Sequence, residues 1–339
     1  MATPVFGFQW HLTNRCMQRC RHCYQETYDD GPEVCLEGAK RLADAVFGSL
    51  DGHRVSINLT GGEPLLLDWL PDLVAHLHTF DQLEELSILS NGLHAERVLD
   101  RLSGFERLAW LKLSVESGLH ATNDAVRGKG HLAQVERNLD RMRAAGRRGL
   151  VAMITLGRYN LDSIETSAAF ACDHGFSGVI FERFVPLGRG RAMAGQALGP
   201  RDWAIAVQRI AALAGIEADP ASDAWLPYKA FWLHMQEGPL RIEGARCNLG
   251  RESMALMPDG AVLPCRRLPM PAGRLPAEPF DQVRDRLADW APERIAGRLR
   301  GDLCGLCGLP DCAGCRAMAL AVGGDALGDD PACPLLIEP

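Results

Sequence analysis

The chain has 339 residues, 47% of them hydrophobic, a formal net charge of −7 and twelve cysteines. That length suits one large α/β domain with a smaller appendage. The acidic balance argues against a nucleic-acid surface held by phosphate neutralisation, and no stretch approaches the ~18 uninterrupted apolar residues of a membrane span. In a chain this long, the cysteines point to metal or redox chemistry rather than to a secreted disulfide scaffold. The start, MATPVFGFQWHL, lacks the basic residues and cleavage site of a signal peptide, so the expected location is the cytoplasm.

In chain order, Val5–Leu12 reads as a strand, followed by a loop carrying Cys16, Cys20 and Cys23. Glu33–Leu50 has helical periodicity, Arg54–Leu59 alternates like a strand, and Leu70–Phe80 is helical. Leu86–Leu89 is a strand ending at Asn91, Ala95–Leu102 a helix, Trp110–Val115 a strand, Gly130–Ala145 a helix. Leu150–Leu156 is a strand, Leu161–His174 a helix and Gly178–Phe184 the sixth strand. Six strand–helix alternations at even spacing predict an α/β fold of parallel βαβ units, a partial (β/α)6 TIM-like barrel over about residues 1–200. Residues 201–245 read as a helical connector. Residues 246–339 read as a small Cys-rich α+β domain, with an Asp259-Gly260 hairpin turn before Cys265 and a helix over Phe280–Leu299. The basic run Arg137, Arg141, Arg143, Arg147, Arg148, interleaved with Glu136 and Asp140, reads as the wet face of a helix.

In parallel barrels the chemistry lies at the C-terminal ends of the strands, where the notable motifs fall. Cys16, Cys20 and Cys23 stand at C-x3-C-x2-C spacing, with His22 before the last cysteine and Tyr24 after it. Three thiolates on one short loop suit three corners of a cubane cluster and leave one iron open; a zinc site or three unrelated cysteines are the alternatives. Thr60-Gly61-Gly62-Glu63-Pro64 follows the second strand as a turn whose glycines allow close backbone approach. These motifs together resemble the radical S-adenosylmethionine (SAM) enzymes. The resemblance implies that Cys16, Cys20 and Cys23 hold a [4Fe–4S] cluster whose open iron chelates the methionine moiety of SAM. It further implies cofactor contacts from Tyr24, Gly61, Gly62, Glu63, Pro64, Asn91, Ser114, Glu116 and Arg127. Met153 on the fifth strand is read as barrel core, and Pro186-Leu187-Gly188-Arg189 resembles the family's closing segment after the sixth strand.

The C-terminal region holds Cys247, Cys265, Cys304, Cys307, Cys312, Cys315 and Cys333. Only four residues separate Cys307 from Cys312, too few for the usual zinc ribbon. The seven resemble the SPASM extension of radical SAM enzymes, which implies two auxiliary [4Fe–4S] clusters and three in all. By position Cys247, Cys265 and Cys315 would hold the first, and Cys304, Cys307, Cys312 and Cys333 the second. The spacings of four and two residues around Cys312 are shorter than the family's usual five and three. The first set has three cysteines, so either another ligand completes it or an iron is open. Cys35 and Cys172 read as buried thiols, the sharper reading making one a hydrogen-atom donor.

The resemblance implies an oxidoreductase or maturase that cleaves SAM to a 5′-deoxyadenosyl radical and abstracts hydrogen from substrate, with an electron donor such as flavodoxin or ferredoxin. The substrate class expected is a ribosomally made peptide or protein. The alternative is dehydrogenation or epimerisation of a small sugar or aminocyclitol. The first strand begins within about ten residues, so no leader-binding domain is expected at the front, and a separate leader-peptide-binding protein would replace it. Where sulfatase maturases place an aspartate base after the cysteine matching Cys265, this chain has Arg266, which counts against that branch. Glu182 and Asp259 remain candidate bases. No nucleic-acid or membrane partner is expected.

Overall fold

Alternation decides the first strands. In Phe6-Gly7-Phe8-Gln9-Trp10-His11 the aromatics are 1%, 2% and 0% exposed and join the main apolar core, while Gly7 and Gln9 line a cavity on the opposite face. Val55, Ile57 and Leu59 repeat the pattern against Asn58 and Thr60. Successive side chains point to opposite faces of a strand, so one face of the sheet packs under helices and the other is a polar lumen.

The computed structural model describes residues 3–28, 33–94, 99–236, 238–250, 252–310 and 312–337. Strands β1 (Val5–His11), β2 (Arg54–Thr60), β3 (Leu83–Ser90), β4 (Leu108–Ser114), β5 (Leu150–Leu156) and β6 (Gly178–Arg183) pair in chain order, all parallel. They form the partial TIM-like barrel. The helices between them are α1 (Leu36–Gly48), α2 (Leu70–Leu77), α3 (Leu99–Leu102), α4 (His120–Arg127), α5 (His131–Ala144) and α6 (Ile164–Asp173). Helix α1 buries Ala39, Leu42, Ala43, Val46 and Phe47, the i, i+3, i+4, i+7, i+8 stripe of an amphipathic helix. The helix expected over Ala95–Leu102 is present as α3; residues 95–98 lie outside the described residues. Arg137, Arg141 and Arg143 lie on the solvent side of α5, as expected, while Arg147, half-buried, and Arg148 follow the helix's end.

The connector is not all helical. After α7 (Pro200–Leu213), strands β7 (Tyr228–His234) and β8 (Arg241–Arg246) form an antiparallel hairpin on the open edge of β6. The aromatic run Tyr228, Phe231, Trp232 suits a strand, and Phe231 is fully buried against Trp203. On the other edge, β9 (Ser253–Leu256) pairs parallel to β1, and β10 (Ala261–Leu263) and β11 (Gly273–Arg274) follow antiparallel. The result is one sheet of eleven strands, in the order β11-β10-β9-β1-β2-β3-β4-β5-β6-β7-β8. The C-terminal region therefore grows directly out of the barrel wall. Its expected long helix is broken: α8 (Phe280–Ala288) stops before Pro292, which begins α9 (Pro292–Ile295), because proline cannot donate into a continuing helix. α10 (Arg316–Gly323) closes the chain's helices among the described residues.

Candidate active site

The cysteine loop leaves the C-terminal end of β1 and is clamped by the segments that follow β2, β4 and β6, the middle one being the last turn of α4. After β2, Gly62 N donates to Thr13 O (2.7 Å) and Glu63 N to Arg15 O (2.8 Å). After β4, Arg21 N donates to Val126 O (2.9 Å). After β6, Gly190 N donates to Cys23 O (2.8 Å) and Arg189 N to Gln25 O (3.0 Å). A Cβ on Gly62 would lie 2.2 Å from Arg15 O, and one on Gly188 2.2 Å from Tyr24 O. The glycines thus admit the cysteine loop's own backbone, where the sequence suggested a ligand.

Cys16, Cys20 and Cys23 open on a cavity at the C-terminal ends of the strands. Of the other expected contacts, Tyr24, Gly61, Gly62, Asn91, Ser114 and Arg127 line this cavity. Met153, expected in the core, lines it too, beside Thr155. The structure draws Glu63, Pro64 and Glu116 back from the wall. Glu63 is fully buried and accepts from Leu65 N (3.1 Å), Ser90 Oγ (2.9 Å) and Asn91 N (2.7 Å), tying the β2 turn to the end of β3. Burial pushes its carboxyl up to about 7 against the pull of those donors. Pro64 is buried at the start of a 3-10 turn.

Glu116 is a buried hub. It accepts from Arg127 Nε (2.9 Å) and Thr155 N (3.0 Å) and stands 3.1 Å from His22 Nε2. Burial alone would raise it, but His22 and Arg127 bring the net below the usual carboxylate range. Arg127, at the last turn of α4, is held in place and aims Nη1 at Cys20 Sγ (3.9 Å). Asn91 Nδ2 stands 3.9 Å from Cys16 Sγ. Burial, then Glu63 and the neighbouring thiols, push Cys16 up to about 11, and burial raises Cys20. Thiols crowded in this way become thiolates only against a cationic centre.

Sequence reasoning missed the floor at His11, while Glu182, a candidate base, does line the far wall. His11, on the lumen face of β1, is buried with Nε2 2.8 Å from Tyr24 Oη. Burial first, then Arg266, lowers it to about 3, so the ring is neutral. The parity of Gly7, Gln9 and His11 was the available signal. Glu182 lines the cavity and pairs with Arg266 (2.7 Å) and Arg267 (3.5 Å). Asp259, the other candidate base, sits on the β9–β10 turn against Arg274 at 2.8 Å, away from the cavity.

A second cavity lies where β8 and the β1–β9 edge face one another, lined by Cys247, Cys265 and Cys315. Burial, then Cys315 and Cys265, push Cys247 up to about 12, so these three thiols share one electrostatic neighbourhood. Cys304 and Cys333 feel one another across Asp330, Cys312 Sγ stands 3.9 Å from Lys229 Nζ, and Cys307 is exposed. Among the described residues, no three His, Cys, Asp or Glu side chains converge on a point for a single ion. Asp330 is fully buried and fastens the region to β6 through Arg183 (2.9 and 3.2 Å), also accepting from Cys315 N (2.9 Å). Cys35 and Cys172 are exposed, not buried: they precede α1 and sit in the last turn of α6, on the solvent side.

Residues 10–171 match the family model of the radical SAM superfamily. That stretch is a radical SAM domain. The seven cysteines of the chain's C-terminal region fit an auxiliary-cluster domain. The chain is 26% identical to the AdoMet-dependent heme synthase of Methanosarcina barkeri, over 96% of this chain and 95% of that protein. It is 28% identical to the PqqA peptide cyclase of Streptomyces rochei, over 99% and 92%. Among solved structures it resembles Streptococcus suis SuiB bound to S-adenosylmethionine, with a TM-score of 0.70 and 13% identity over 98% of this chain and 77% of that one. No helix among the described residues is long and apolar enough to cross a membrane.

The radical SAM domain makes the chain an enzyme and implies SAM and a [4Fe–4S] cluster. The donor set fits them: three clustered thiols on a clamped loop, a cavity beside them, and a buried guanidinium held at its wall.

Proposed function

We propose that this radical SAM enzyme modifies a ribosomally made peptide or protein. The observation that carries the chemistry is the three-cysteine loop, locked by the segments that follow β2, β4 and β6 and opening on one cavity. When bound, the cluster and SAM supply a 5′-deoxyadenosyl radical that abstracts hydrogen from substrate. Cys16, Cys20 and Cys23 hold the cluster. Asn91, Ser114 and Arg127 bind SAM, Gly61 and Gly62 seat the cysteine loop beside it, Tyr24 closes the side towards His11, and Glu63 and Glu116 position Asn91 and Arg127 from behind.

For the peptide class, the support is the full-length likeness to a peptide cyclase. A second reading, a small organic substrate, is favoured by the likeness to a heme synthase of nearly equal coverage. In the SPASM region, Cys247, Cys265 and Cys315 would hold one auxiliary cluster and Cys304, Cys307, Cys312 and Cys333 another, giving three in all. An electron carrier of the flavodoxin or ferredoxin kind would reduce the enzyme in a cytoplasmic setting, and a separate protein would present a leader peptide. The domain reading follows: a barrel to about residue 200, a helix-and-hairpin connector to 245, and the cluster-bearing region beyond.

The test is anaerobic reconstitution, reduction with dithionite and assay of 5′-deoxyadenosine, with peptides encoded beside the gene as substrates. A mass change in such a peptide, dependent on SAM, supports the reading. Turnover only of small molecules from the same locus overturns the peptide class. Absence of 5′-deoxyadenosine overturns the chemistry.

A further inference from the structure

Arg266 and Arg267 line both the cavity at the cysteine loop and the second cavity beside Cys247, Cys265 and Cys315. They form the wall between the two chambers. Arg266 donates from one terminal nitrogen to Gln9 Oε1 (3.0 Å) and from the other to Glu182 Oε1 (2.7 Å). Its side chain is only 7% exposed, yet its Nε–H is buried without an acceptor. Buried donors are almost always paired, so this one marks a place for a group that the protein does not itself provide. The charges around it are unbalanced. Two guanidiniums face the single carboxylate of Glu182. Lys112, donating to Asn58 in the lumen at 2.7 Å, adds a third cation, opposed by Glu85. On the remaining side, the Arg266 guanidinium lies 5.5 Å from the centre of the Tyr24 ring.

We propose that Arg266 binds a carboxylate of the substrate on the wall shared by the two cavities. This rests on the radical-enzyme reading above and adds what the substrate must carry. The Nε–H and the adjacent terminal N–H of a guanidinium form a side-on fork that matches two carboxylate oxygens, a match that an ammonium does not offer. Glu182 keeps the guanidinium in plane, and Gln9 fixes its other edge. A peptide offers such a group at its C-terminus or on an acidic side chain.

The test uses anaerobically reconstituted full-length protein saturated with S-adenosylhomocysteine, which fills the cofactor site. N-acetylalanine represents a chain end and butyrate an acidic side chain; their neutral amides at matched ionic strength are the controls. At tenfold excess over its dissociation constant, a bound acid raises the unfolding midpoint by roughly 2 °C. The proposal expects this rise from at least one acid and from neither amide, and the more effective acid identifies the source. The rise should disappear in R266Q and largely disappear in R266K, which keeps the charge and loses the fork. It should persist in R300Q, whose guanidinium pairs with Asp325 at the surface. R266K guards against misfolding in R266Q, provided it still responds to S-adenosylhomocysteine. Equal shifts from acids and amides, or an undiminished shift in R266K, overturn the anchor while leaving the radical-enzyme reading intact. No response to S-adenosylhomocysteine in the wild type overturns the reading beneath it.

Discussion

Two groups of cysteines are held in opposite ways. Cys16, Cys20 and Cys23 ride on a loop pinned by backbone hydrogen bonds from the segments that follow three strands of a parallel sheet. The C-terminal cysteines sit largely on irregular backbone fastened by charged side chains. Asp329 Oδ1 accepts from Leu303 N (3.1 Å) and Cys304 N (2.6 Å). Arg316 Nη1 donates to Ala326 O (3.0 Å) and Gly328 O (2.6 Å), and Asp330 bonds to Arg183. The first site is built by the sheet through main-chain hydrogen bonds. The second rests on side-chain contacts, the buried Asp330–Arg183 pair foremost, and metal bound there would add to them, as in small metal-bound regions.

Replacement of a barrel cysteine separates the two regions most sharply. Cys20→Ala should reduce 5′-deoxyadenosine formation to the background of a protein-free control while most of the iron bound at the C-terminal region stays. Iron and sulfide analysis beside product assay checks both. Gly62→Ala comes next: its Cβ would sit 2.2 Å from Arg15 O, so the clamp must open. Iron content should fall by about one cluster with far-UV circular dichroism unchanged; full cluster loading would show that the clamp is not what shapes the site.

Asp330→Ala attacks the other region. It leaves Arg183 buried and unpaired, which costs about 3–5 kcal/mol, read as a lowered denaturant midpoint. Asp325→Ala, which breaks the exposed Arg300 pair, should leave the midpoint unchanged. The smallest effect is in pH dependence. His11 is neutral in the fold, its value lowered from 6.5 to about 3, so the unfolded chain binds the extra proton. The His11 contribution to stability should fall as pH drops from 6.5 towards 3, by roughly 2 kcal/mol between 6.5 and 5, with His131, lowered to about 4, adding to the fall and Glu63, raised to about 7, opposing it. His11→Asn should remove the His11 share of that dependence in urea titrations at several pH values.

Much of the barrel was legible because its strands alternate and its motifs fall at strand ends. Strand β5 runs over Leu150–Leu156, as its apolar run indicates. The β7–β8 hairpin was not legible: Tyr228–His234 mixes Lys229 and His234 with aromatics, and its strand state is settled by the free edge of β6. The break at Pro292 was written in the sequence and overridden there by the periodicity on both sides. In the site, the cysteines announced themselves by spacing. The withdrawal of Glu63 and Glu116 behind the wall did not, because it depends on partners 27 and 39 residues away, Ser90 and Thr155. The exposure of Cys35 and Cys172 follows from which helical face meets the sheet, and a lone cysteine carries no sign of that.

The account rests on an iron at the barrel loop that the protein leaves free for SAM. Electron paramagnetic resonance of the reduced, anaerobically prepared enzyme, recorded with and without SAM, addresses this most directly. A [4Fe–4S] signal that shifts when SAM is added, and that is missing when Cys16, Cys20 and Cys23 are all alanine, is the predicted result. A signal indifferent to SAM, or one that survives the triple replacement unchanged, would contradict it.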